Sequence, residues 1–418
     1  MQYSNFVRTF NAHSGAKELM EDMSCNIPGL DTVYRLGGGN PAIIPEVAEL
    51  FRAELAKIAA DPKRFDQMAS IYSEPLGDAH FREALADLLR EEYGWPLTSK
   101  NIALTPGSQL GFYFLFNMFG GVGPGGKRQR IIIPLCPEYI GYKGLLANEA
   151  DVASRRSIIR KLPNRQFKYG LRMDGLDEVE DVGAIVVSRP TNPTGNVIRQ
   201  SELARLDEVA KAREVPLIVD NAYGFPFPGM IYVDEKPQWN ENTILTMSLS
   251  KIGLPALRTG IVVANEEVTE ILGRINALTQ LAVGAAGAAL VAPLLENRKL
   301  LRVCRELIMP FYRRKVRDAV GFCHDALNSC DYHVHKPEGS MFLWLWFPGL
   351  NDNRTLYRRL KARGVMVLSG DQFFPGLSTP WTHARECVRV NVCGDSDLVY
   401  QGLKIIGEEA SRLQVKAA

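Results

Sequence analysis

Six short apolar runs, mostly β-branched, constrain this chain more than any other feature. They are "NIALT" (101–105), "RIIIPL" (130–135), "AIVVS" (184–188), "PLIVD" (216–220), "TILTMS" (243–248) and "GIVVA" (260–264). Each is apolar almost throughout rather than alternating, so each predicts a strand buried on both faces. Helical patterns lie between them, such as "SELARLDEVAKARE" (201–214), where Ser201 is the expected N-cap. Strand–helix alternation of this kind predicts an α/β fold with a mostly parallel central sheet flanked by helices.

After residue 296 the pattern changes. "ENRKLLRVCRELIMPFYRRKVRDAVGFCHDALN" predicts a long charged amphipathic helix, kinked at Pro310. Strands at "GSMFLWLWF" (339–347) and "ECVRVNVC" (386–393) flank a helix at "RTLYRRLKARG" (354–364). The expected division is therefore a large α/β domain over 46–295 and a small α+β domain over 296–418. Residues 1–45 form a segment expected to pack on the small domain or on a partner subunit. A chain of 418 residues is long enough for about two or three domains.

Several classes are disfavoured. The net charge is +2, from 49 basic and 47 acidic residues, so no basic excess points to nucleic acid. The longest apolar stretch, 272–295, contains Arg274, Asn276 and Gln280 and predicts a small-residue helix with breaks, not a membrane span. The polar N-terminus lacks the apolar core of a secretory signal. Seven cysteines at irregular spacing predict free thiols and a cytoplasmic location. His333 and His335 share a strand face, but no third ligand accompanies them and no metal is expected. "GGVGPGGKRQR" (120–130) lacks the Gly-Lys-Ser/Thr end of a phosphate loop and predicts a surface turn.

Ligands bind at the carboxyl ends of strands in an open parallel sheet. The polar residues there belong together. "PLIVDNAYG" ends its strand in Asp220, followed by Tyr223; a carboxylate there needs a cation or donor. "SRPTNPTGNV" carries Asn192 between prolines. "TPGSQLGFYFLF" starts an apolar helix near Ser108, whose first amides suit a phosphate. "SLSKIGLPALRTG" supplies Ser248, Ser250, Lys251 and Arg258. A lysine shielded from water near other cations has a lowered pKa and can form an imine. Pyridoxal phosphate would use all of these groups at once: a phosphate, a ring nitrogen, a phenolic oxygen and an aldehyde.

"NPTG" (192–195), "D-x-x-Y" (220–223) and "S-x-S-K…R-x-G" (248–260) resemble, in order and spacing, fold-type I aminotransferases of class I/II. So do "LGGGNPAIIPE" (36–46), "IYSEPLG" (71–77), "GSQ" (107–109), "CPEYIGY" (136–142) and "RVNV" (389–392), so the resemblance spans nearly the whole chain. Strings such as "SRPTNPTGNV", "DNAYGFPFPG" and "MSLSKIGLP" further resemble the alanine/valine transaminases within that family. One departure is local: Arg258 stands seven residues past Lys251, where many members have eight.

The resemblance implies a homodimer with pyridoxal 5'-phosphate as cofactor and a ping-pong exchange between L-valine or L-alanine and 2-oxo acids. It implies that Lys251 bonds the aldehyde and moves the proton, that Asp220 keeps the ring nitrogen protonated, and that Tyr223 and Asn192 bond the ring oxygen. Ser108, Gln109, Ser248 and Arg258 hold the phosphate, Tyr139 stacks on the ring, and Tyr72 reaches the neighbouring subunit's phosphate. Arg389, with the backbone near Gly39, binds the substrate α-carboxylate. Read singly, these residues have plainer explanations: Lys251 a strand-end lysine, Asp220 a turn residue, Tyr139 packing against Tyr142, Arg389 a surface pair. Phe112, Tyr113, Phe114 and Phe116 read as core, not as a cofactor box. Another enzyme on the same scaffold, such as a C–S β-lyase or decarboxylase, would carry the same residues. A regulator with an aminotransferase-like domain would need a DNA-binding module, and no helix-turn-helix pattern precedes the resemblance.

Overall fold

A computed structural model describes residues 32–417, apart from 177, 178 and 351, together with 1, 2, 7, 17, 20 and 21. Of the segment expected over 1–45, most of residues 1–31 lie outside the described residues.

All six apolar runs are strands, and they assemble into one sheet. Its order is Ile102–Thr105, Gly260–Val263, Thr243–Ser248, Leu217–Asp220, Val182–Ser188 and Arg128–Cys136, with Val152–Arg156 pairing on the last. These strands run parallel except Gly260–Val263, which is antiparallel to both neighbours. Side chains alternate between two cores, which explains the continuous apolar runs. Ile132, Ile185, Leu217 and Val219 face the helices Ala79–Tyr93, Gln200–Ala212 and Ala286–Glu296. Ile131, Ile133, Val186 and Ile218 face Phe112, Phe116 and Leu272 on the helices Ser108–Phe119 and Glu266–Gln280. The aromatics of Ser108–Phe119 are mostly buried, as expected, with Tyr113 half-buried.

A second sheet has the order Leu368–Ser369, Cys387–Asn391, Phe342–Trp346, His333–His335, Gln166–Gly170 and Ile158–Leu162. Its last two strands form a hairpin contributed from far upstream. Asn164 and Arg165 turn it with φ of 56° and 55°, the left-handed pair that suits a tight hairpin. Leu36 enters the core beneath this sheet, because Tyr34–Arg35 pairs in parallel with Val365–Met366. That pairing delivers the loop 37–40 to the face carrying Arg389.

Local expectations fare differently. The helix expected from Ser201 runs Gln200–Ala212, and its N-cap is Arg199, whose N–H donates to the Glu202 side chain at 3.0 Å. A carboxylate three residues into the helix captures the cap N–H, so Ser201 lies within the first turn. Where a kink was expected at Pro310, a π-helical turn, Cys304–Ile308, leads into Met309–Ala326 and places the proline in that helix's first turn. The 272–295 stretch does break, between Gln280 and Ala286. Among the described residues no helix is long and apolar enough to cross a membrane, and no group of three or more metal-ligating side chains occurs.

Candidate active site

The carboxyl ends of the central strands open into a cavity of about 140 Å³. Gly39, Ser108, Gln109, Tyr139, Asn192 and Asp220 line it, with Tyr223, Ser248, Lys251, Arg258 and Arg389. Every residue singled out in the sequence is there except Tyr72, which is 79% exposed on the surface. Ser188, Pro190, Ala222 and Ser250 complete the lining.

One wall is built for an anion. The helix Ser108–Phe119 starts at Gly107 with no side-chain cap, so its first amides keep their donors. Arg258 lies against this start: a Cβ on Gly107 would sit 2.2 Å from its Nη2. Gly260 is equally constrained, since a Cβ there would meet the Ser108 nitrogen at 2.4 Å. The seven-residue spacing is absorbed locally by a 3₁₀ turn, Pro255–Leu257, and by Arg258 adopting φ 48°. A left-handed residue other than glycine costs about 1–2 kcal/mol, so the surrounding contacts must hold it. Gln109 donates to the Gly141 carbonyl at 2.8 Å, while its buried Oε1 has no partner.

The opposite wall carries the carboxylate. Asp220 ends its strand, accepting from Tyr142 Oη at 3.0 Å and from the Ala222 N–H at 3.0 Å. Burial pushes its carboxyl up to about 6 despite those donors and the Lys251 charge. A cationic ring nitrogen beside it would reverse that shift. Tyr139 meets Tyr142 edge-on at 5.4 Å and faces the cavity.

Lys251 stands between the walls on the 3₁₀ turn Leu249–Ile252. Its Nζ donates to the Gly39 carbonyl at 2.7 Å and lies 5.3 Å from the Tyr223 ring centre. Burial, reinforced by Arg389, lowers its pKa to about 8. An amine in that range is partly unprotonated and nucleophilic near neutral pH.

Arg389 reaches the cavity from the second sheet. It is 1% exposed and donates from Nη1 to Asn192 Oδ1 at 2.8 Å and from Nη2 to the Gly37 carbonyl at 2.6 Å. Phe342 lies 4.1 Å from its guanidinium carbon, and Nε has no partner. Burial lowers its pKa to about 10, so it stays charged at neutral pH. Among the described residues no carboxylate pairs with it. A buried cation held only by neutral oxygens is a site waiting for an anion. Because Arg389 takes the Asn192 oxygen, the Asn192 amide group is left to donate elsewhere.

The donor set therefore fits pyridoxal phosphate: uncapped amides with hydroxyls and a guanidinium for phosphate, a carboxylate for the ring nitrogen, and a desolvated amine. Two residues here escaped sequence reading. Tyr142 anchors Asp220, and Glu138 lies buried beneath Tyr139. The glutamate between Pro137 and Tyr139 was the available signal.

Residues 33–406 match the model of a family described as aminotransferase class I and II. The chain is 42% identical over 415 residues to an Escherichia coli (strain K12) protein named valine–pyruvate aminotransferase, covering 99% of each. It superposes on the crystal structure of a valine–pyruvate aminotransferase from Salmonella typhimurium LT2 with a TM-score of 0.87, at 42% identity, covering 96% of this chain and 100% of that one. A putative amino-acid aminotransferase from Psychrobacter arcticum 273-4 gives 0.94 at 40% identity, covering 99% of both chains. With likeness of this extent along the whole chain, the protein belongs to the class I and II aminotransferases, enzymes that use pyridoxal phosphate.

Proposed function

We propose that this aminotransferase exchanges amino groups between L-valine or L-alanine and 2-oxo acids such as pyruvate and 2-oxoisovalerate, in ping-pong fashion. The observation that carries the reading is the convergence of Lys251, Asp220, Arg258 and Arg389 on one cavity. The 42% identity to a protein named for valine and pyruvate supports the substrate pair. So does a count of charges. Among the described residues, the cations lining the cavity are Lys251, Arg258 and Arg389. An amine anchor, a phosphate clamp and an α-carboxylate clamp use all three, leaving none for a distal carboxylate.

Pyridoxal phosphate, when bound, supplies an aldehyde that bonds amines and a ring that stores an electron pair. Ser108, Gln109, Ser248 and Arg258 would hold its phosphate, and Asp220 its ring nitrogen. Tyr223 and Asn192 would bond the ring oxygen, and Tyr139 would cover the ring face. Lys251 would bond the aldehyde; once freed by the substrate amine, its Nζ would accept the proton of the substrate Cα. Arg389 orients the α-carboxylate so that this Cα–H faces Lys251, and its aromatic surroundings exclude water.

We further propose a homodimer in which Tyr72 serves the neighbouring site. Supporting this, Tyr72 and its chain neighbour Ile71 are both large apolar side chains exposed at the surface. Six described cysteines are all free thiols, which suits the cytoplasm. We retain the division into 46–295 and 296–418, with 1–45 as an appended segment.

The test is half-reaction chemistry. L-Valine or L-alanine should convert the visible absorbance of the loaded protein to that of the pyridoxamine form, and pyruvate should restore it. Release of ammonia or CO₂ instead would replace transamination with elimination or decarboxylation. A panel of 2-oxo acids including 2-oxoglutarate then ranks the acceptors.

A further inference from the structure

Glu138 is a carboxylate with no exposure and, among the described residues, no ion-pair partner. Its oxygens are fully engaged nonetheless. Oε1 accepts the Ser188 N–H at 2.8 Å; Oε2 accepts the Ser188 hydroxyl at 2.5 Å and the Tyr139 N–H at 3.1 Å. Ser188 and Tyr139 both line the cavity. Ser188 is also the register partner of Asp220 on the adjacent strand. On its other side, the Glu138 N–H donates to the Phe373 carbonyl at 2.8 Å. The Phe373 ring lies 5.3 Å from the Arg389 guanidinium.

We propose that Glu138 is a positioning residue of the cofactor site, locking Tyr139 and Ser188 in place and acting as a second carboxylate that tunes the charge at Asp220. The inference rests on the cofactor reading above. A carboxylate here is costly to bury, and three donors around it make sense only if it carries charge for part of the working pH range. A glutamine would leave one of its amide hydrogens facing the Tyr139 N–H, so the site prefers the acid. Burial pushes Glu138 up to about 8 against the pull of the Ser188 donors. The titratable groups facing it are Asp220, from the strand beyond that of Ser188, and Cys136, Tyr139 and Tyr142 from its own segment. Lys251, Arg258 and Arg389 lie among the same cavity walls.

The sign follows from charge. Ionised Glu138 adds negative charge to a site that already holds Asp220, and so favours the protonated form of the cofactor–lysine linkage. Removing that charge lets the linkage lose its proton at lower pH. The experiment titrates the visible absorbance of the loaded protein from pH 5.5 to 9.5. Glu138→Gln should lower the midpoint by up to roughly 1 pH unit, the scale of a full unit charge at an effective dielectric of about 20, with the shift growing as Glu138 ionises toward pH 8. Ser188→Ala, which keeps the acid but removes one donor, should lower it by less. A midpoint unchanged in both variants overturns the proposal. Should Glu138→Gln fail to fold, Ser188→Ala decides alone. A fall in Tm is expected under any structural role and does not discriminate. Wild-type protein that never acquires the absorbance overturns the cofactor reading itself, an outcome distinct from an unmoved midpoint.

Discussion

Lys251, half-buried, and Arg389, fully buried, are two cations of one cavity, carried by two different sheets, and desolvation affects them differently. Lys251 drops to about 8 and Arg389 to about 10. The first comes within reach of neutral pH, so that a fraction is unprotonated there, and the second does not. An ammonium that gives up its proton can react, whereas a guanidinium that keeps its charge can only hold. On the proposed reading the two sheets divide the labour: the central sheet carries the amine that would react, with its carboxylate and the amides that would cradle an anion, and the second sheet carries a fixed charge with neutral partners. Each half should fail in its own way.

Lys251→Ala should give the largest effect. Turnover is expected to fall by at least about 10⁴-fold, and borohydride should no longer trap the cofactor on the chain. Retention of both would break the comparison at its base. Asp220→Asn comes next, with kcat down by about 10²–10⁴-fold while covalent loading persists. Arg389→Gln should lower kcat/KM by about 10–10³-fold, the worth of one or two charged hydrogen bonds, with the spectrum of the loaded protein intact. If that spectrum collapses as well, the division of labour is wrong.

A pH experiment sharpens the contrast. Covalent loading needs the free amine, so its rate should rise with pH and level off above about 8, the lowered Lys251 value. Arg389 is the second cause of that lowering, after burial. Arg389→Gln should therefore move the plateau to higher pH. The smallest effect is structural. Gly107→Ala places a methyl where Arg258 lies, at a backbone φ of 84°, and should cost about 1–3 kcal/mol in stability and weaken phosphate binding. Thermal melts with and without cofactor would measure both.

The sequence made the central sheet legible because its strands are buried on both faces and so read as continuous runs. The cavity was legible for a related reason: polar residues at the ends of such runs have few places to go. What escaped depends on distance or direction. Periodicity carries no sign, so nothing marked Gly260–Val263 as the antiparallel strand. The hairpin Ile158–Leu162 and Gln166–Gly170 joins a sheet whose other strands lie beyond residue 330, a pairing no local pattern encodes. Glu138 looked like any acid until its partners, 50 residues away on Ser188, were in place. Arg199 holds the cap position expected of Ser201, its N–H donating to the Glu202 side chain.

The reversal after Lys251 has a consequence for how the chain can vary. Lys251 and Arg258 sit on one short connection whose ends are pinned by antiparallel pairing of Ser248 with Gly260. The gap between the proposed covalent anchor and the proposed phosphate clamp is thus metered by residue count, like calliper jaws. Inserting or deleting one amino acid there would slide one jaw past its target, whereas loops elsewhere on the surface can lengthen freely.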